Sequence, residues 1–137
     1  MAGKVRTVSY VLTATVAISW HTKLAKFVPN EDIYLIGMSA GACESSEGSI
    51  EFRATKGVSD PAVDITYEDC YFHISCMSGA GGAGSGSGSG GRSDFLPPVY
   101  YFKVDKDEPI FIDLYARAVG DGGTVHLYYV NKRDWKK

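Results

Sequence analysis

The sequence predicts an all-β protein: a two-sheet antiparallel sandwich, with a jelly roll of about eight strands as the expected topology. Three observations predict it. Apolar residues recur at every second position over several stretches, the period of a strand with one buried face. No stretch carries an apolar stripe at the helical period. Clusters of Gly, Pro, Asn and Asp separate short segments rich in β-branched and aromatic residues.

The elements follow in chain order. Val8, Tyr10, Leu12, Ala14, Val16, Ile18 and Trp20 share one parity, and Ser9, Val11, Thr13, Thr15, Ala17 and Ser19 the other, so a single long strand is expected over 8–20. Pro29-Asn30-Glu31-Asp32 signals a turn. Ile33 to Met38 reads as a short buried strand, followed by a polar loop bracketed by Gly37, Gly41 and Gly48. Ile50 to Thr55 is a third strand with Ile50 and Phe52 inward. Val63 to Tyr67 is a short fourth. Cys70 to Ser78 is a fifth, with Cys70, Phe72, Ile74 and Cys76 on one face.

The segment 79–94 is rich in Gly and Ser and has the composition of a flexible loop. Neither flank is long enough to make a convincing second domain, so 1–137 is expected to be one domain carrying this loop. An engineered linker has the same composition. Val99 to Val104 and Ile110 to Ala118 follow as strands, split by the turn Asp105-Lys106-Asp107-Glu108-Pro109. Ile110, Ile112, Leu114 and Ala116 are expected inside. Gly120-Asp121-Gly122-Gly123 reads as a hairpin loop. Thr124 to Asn131 closes the chain with Val125, Leu127 and Tyr129 inward. Tight loops mixed with long connections favour a jelly roll over a simple meander.

Length and composition are those of one ordinary globular domain: 137 residues, 45% apolar and 22% charged. The net charge of −2 gives no electrostatic footprint for nucleic acid. No stretch approaches the roughly 20 apolar residues of a membrane-spanning helix. Lys4 and Arg6 precede an apolar run, as in a signal peptide, but the alternation over 8–20 is that of a strand. Of the three cysteines, Cys70 and Cys76 are too far apart along one strand to bond. Either could pair with Cys43, but an odd number fits a reducing compartment or buried thiols better than a disulfide scaffold.

Catalytic signals are weak. His21, His73 and His126 form no HxH pair and no metal spacing, so no metal and no cofactor are expected. Asp105, Asp107 and Glu108 make an acidic turn without the EF-hand pattern. Glu51, Asp64 and Asp113 could serve as paired carboxylates only if the fold gathers them. No phosphate loop or nucleophile elbow occurs. The outward parity is more informative. It exposes Tyr101, Phe111, Tyr115, His126 and Tyr128, and outward rings of this kind mark a subunit interface or a ligand platform unless the second sheet or a loop covers them.

The closing text from Pro97 to Val130 joins an aromatic strand, a charged turn ending in Pro109, an alternating apolar strand, a Gly-rich hairpin and a final aromatic strand. About a quarter of the chain in this way resembles the closing strands of jelly-roll structural proteins, of the C1q/TNF-like and viral or phage decoration and fibre-head kinds. The resemblance implies a homo-oligomer, a trimer above all, that does no chemistry. The expectation is therefore a structural self-assembly protein, such as a virion capsid decoration or fibre-type subunit, at a virion or extracellular surface. A carbohydrate-binding module is the alternative, its rings stacking on a glycan.

Overall fold

A computed structural model describes residues 4–44, 49–57, 70–77, 92–95 and 101–135. These residues form nine strands, one 3-10 turn and no α-helix. The strands are β1 (Arg6–Thr13), β2 (Ser19–Phe27), β3 (Ile33–Glu44), β4 (Ser49–Thr55), β5 (Cys70–Met77), β6 (Arg92–Phe95), β7 (Phe102–Val104), β8 (Ile110–Ala116) and β9 (Gly122–Asn131). They build two antiparallel sheets. The first has the order β1-β9-β3, with β6 and β7 end to end along the far side of β3. The second has the order β2-β8-β4-β5. The pairings are nested: β1 with β9, β2 with β8, β3 with β6 and β7, and β4 with β5. The expected sandwich is thus found.

The core lies between the sheets. Ile110, Ile112, Leu114 and Ala116 of β8 are fully buried, as alternation predicts. Ile50, Phe52 and Ala54 meet them from β4, and Leu35, Met38, Val125 and Leu127 close the core from the first sheet. Gly123 fits because it has no side chain: a Cβ there would press on the Gly41 carbonyl, the Cys43 sulfur and the Phe52 ring at 3.1–3.2 Å.

Four expectations change. The single strand over 8–20 is two strands in different sheets. The chain turns at Ala14, whose N–H donates to the Asp121 carbonyl and whose carbonyl accepts from Gly120. Ile18 adopts a φ of 49°, outside strand geometry, and β2 then continues to Phe27. Second, the Gly120–Gly123 segment is no hairpin: it carries the chain from β8 in one sheet to β9 in the other. The buried Asp121 carboxylate organises this crossing by accepting the amides of Arg117 and Ala118. Third, β3 runs on to Glu44, where a polar loop is expected. Fourth, residues 92–94, expected within the flexible loop, belong to β6. The expected strand over Val63–Tyr67, the rest of the Gly/Ser stretch and residues 96–100 lie outside the described residues.

Bulges explain the cysteines. Ala42 has a φ of 50° and the β3–β9 register slips between Gly41 and Glu44. The slip turns Cys43 inward, where it forms a disulfide with Cys76 of β5. The Cα atoms are 6.3 Å apart, and both residues are fully buried. The bond ties the two sheets together. A second slip between Ala54 and Thr55 sets Cys70 opposite Thr55, breaking the expected row Cys70, Phe72, Ile74, Cys76.

Candidate functional site

The five outward residues named from the sequence do lie between full burial and full exposure, but they do not share a surface. Phe111 and Tyr115 stand on the outer side of the second sheet. His126, Tyr128 and Tyr101 belong to the first. Alternation assigns a side within each strand; it cannot assign the sheet, and β8 and β9 fall in different ones.

The outer side of the second sheet is charged and locked. Arg53 Nε donates to Asp113 Oδ2 at 2.7 Å, and the two side chains are only 5% and 0% exposed. The Asp113 second oxygen accepts the Lys23 amide at 2.8 Å, offered by the bulge between His21 and Ala25. Trp20 covers the pair, its ring 3.7 Å from the guanidinium carbon. Tyr115 meets Trp20 edge-on at 5.4 Å. His73 donates to Glu51 at 2.8 Å, and Lys23 sits 5.0 Å over the Phe111 ring. Both carboxylates here already hold a cation or a His, and Asp64 lies outside the described residues. Burial pushes the Cys70 thiol above its ordinary value, Arg53 pulls it back and Asp113 adds to the rise, so the thiol is a poor nucleophile at neutral pH.

The outer side of the first sheet is different in kind. Register places Thr7 beside Tyr128 and Gly37, Ser9 beside His126 and Ser39, and Val11 beside Thr124 and Gly41. These three rows hold no Asp, Glu, Lys or Arg. Thr7, Ser9 and Val11 are exposed, and Val11 is 78% exposed. The polar groups satisfy one another along the face: Ser9 Oγ and His126 Nδ1 share a hydrogen bond of 2.6 Å, and Ser39 Oγ and the Tyr128 hydroxyl one of 2.8 Å. Further along, Tyr34, Tyr101 and Trp135 cluster with centroids 4.2–5.7 Å apart and planes tilted by 47–75°.

Ordinary sequence signals could have found part of this. The uncharged parity Thr7, Ser9, Val11, Thr13 is visible in the chain; that β9 and β3 continue it sideways is not. Trp20 reads as the last apolar residue of the strand expected over 8–20, yet it lies on the outer side of the second sheet beside Tyr115; Arg53, Ser39, Tyr34 and Trp135 carried no signal of their own. Among the described residues no group of three His, Cys, Asp or Glu is placed to hold a metal ion, the acidic turn at Asp105–Glu108 included. No helix among them is long and apolar enough to cross a membrane. Neither a protein family nor a curated protein matches the chain.

Proposed function

We propose that this chain is a non-enzymatic structural subunit that assembles with copies of itself. The observation that carries the proposal is the uncharged stretch on the outer side of the first sheet, the three rows around Tyr128, His126 and Thr124. A solvent-facing sheet normally bears Lys and Glu, and depletion of charge is a mark of an interface centre. Hydrogen bonds that close within the face leave few polar groups to lose water on contact, which lowers the cost of covering it. The nested strand pairings support a jelly roll, a fold used for viral structural shells and for lectins. The disulfide suits an oxidising setting, in keeping with a virion or extracellular surface.

The glycan reading draws less support. A stacking platform needs rings lying flat in one plane. The described rings are tilted or edge-on to one another: Trp20 and Tyr115 by 62°, Tyr34 and Tyr101 by 47°.

The test is placement of charge. Val11→Lys and Tyr128→Glu should each reduce the association constant at least tenfold in sedimentation equilibrium. Lys26→Glu, on the outer side of the second sheet, should leave it unchanged. Equal behaviour of all three variants would remove the first sheet from the account.

A further inference from the structure

The two sheets do not guard their edges alike. Unpaired backbone along a strand edge invites another strand, and natural sheets blunt such edges with charge, bulges, proline or shortness. β2, an edge of the second sheet, has a bulge between His21 and Ala25, with Lys23 at a φ of 55° and Lys23 and Lys26 both exposed. β5, the other edge, is slipped at Cys70 and bound to β3 through the disulfide. Across the first sheet, β6 and β7 are short pieces of four and three residues.

β1 has none of these devices. It pairs with β9 through eight consecutive residues without a register shift. It contains no Pro or Gly, and its one charged residue is Arg6 at the start. The window Val8-Ser9-Tyr10-Val11-Leu12 is uncharged and rich in strand-favouring residues. Among the described residues, β9 is the only strand paired with β1. The edge also borders the charge-free rows, so a strand added there would extend them.

We infer that β1 is where a second copy of this chain joins, β1 against β1, antiparallel about a two-fold axis. The inference deepens the self-assembly reading and rests on it. The occupant follows from the strand itself. Antiparallel pairing is satisfied by backbone alone, and a two-fold makes one patch serve both partners. Residues directly opposite must point to the same side of the sheet, so the axis passes through a residue position. For an eight-residue strand, the largest overlap puts Ser9 or Tyr10 on the axis. In the first register Thr7 faces Val11; in the second Ser9 faces Val11. Either register joins the two uncharged faces into one. Either keeps the two Arg6 side chains at opposite ends, roughly 20 Å or more apart at ~3.3 Å per residue.

Amide hydrogen exchange on the unmodified chain, read by residue from dilute to concentrated protein, tests this. The outward amides of β1 should slow at least tenfold as mass in solution rises, while those of β2 should not change. A crosslink checks the axis. In a Cys70→Ser background, Ser9→Cys should give covalent dimer with a short bifunctional thiol reagent, and Thr13→Cys should not. Association with no slowing in β1 overturns the edge inference and leaves the charge-free face standing. Slowing in β1 without a Ser9 crosslink overturns the two-fold arrangement. A chain that stays monomeric at every concentration overturns both this and the self-assembly reading.

Discussion

Removing the bond between Cys43 and Cys76 should cost this protein a large part of its stability. The two cysteines are 33 residues apart in sequence. Closing a loop of that length lowers the entropy of the unfolded chain, and the chain-entropy relation puts the effect at about 4 kcal/mol. A domain of this kind has only about 5–15 kcal/mol in total, so the loss decides whether it stays folded on warming. The variant Cys43→Ala/Cys76→Ala is the perturbation, and urea unfolding followed by tryptophan fluorescence is the assay. With a slope of about 2 kcal/mol per molar, the midpoint should fall by roughly 2 M. Cys70→Ala is the control, since it leaves the crosslink intact, and its midpoint should move by less than about 0.5 M on the same slope. Equal midpoints for the double variant and the parent would refute the claim that a covalent tie between the sheets sets stability.

Further expectations concern single side chains. Asp113→Ala leaves the Arg53 guanidinium buried beneath Trp20 without its carboxylate and should cost about 3–5 kcal/mol in denaturant unfolding, whereas Arg53→Met/Asp113→Leu should cost far less because neither charge remains. Gly123→Ala should lose about 1–3 kcal/mol by overpacking against Cys43 and Phe52. The Tyr71 hydroxyl is buried with no hydrogen-bond partner among the described residues, so Tyr71→Phe should be neutral or mildly stabilising. Burial, with a smaller push from Glu108, raises the Tyr71 phenol to about 12. Its folded value lies above the unfolded one, so its contribution is complete below pH 10 and fades as pH climbs from 10 towards 12. Tyr71→Phe should flatten the stability profile over that window.

Much of the fold is legible in the sequence where alternation and burial coincide. Ile50 and Phe52 of β4 and Ile110, Ile112, Leu114 and Ala116 of β8 lie in the core as read, because both are central strands packed against the first sheet. The reading fails where apolar alternation outlives the strand. Val16 and Ile18 continue the rhythm of β1, yet they sit 56% and 73% exposed in the crossing between sheets. Only the backbone turn at Ala14 distinguishes them from core residues. β2 hides for the opposite reason: its bulge breaks the two-residue rhythm. The bulge at Ala42 likewise masks the direction of Cys43, and with it the disulfide.

The site divides in the same way. Tyr128 and His126 point outward as read, because a strand states its own parity. Their true neighbours are Thr7, Ser9 and Ser39 rather than Phe111 and Tyr115, because neighbours are set by which strands pair. The hydrogen bonds of this face join Ser9 to His126, 117 residues apart, and Ser39 to Tyr128, 89 apart. No local pattern encodes that, and the charge-free face becomes visible only once β1, β9 and β3 lie side by side.

Mass in solution over a wide concentration range bears most directly on the account. Multi-angle light scattering should show the 14.8 kDa chain giving way to a defined multiple as concentration rises, with Val11→Lys delaying the change. A mass fixed at 14.8 kDa throughout would contradict self-assembly as the purpose of the uncharged face.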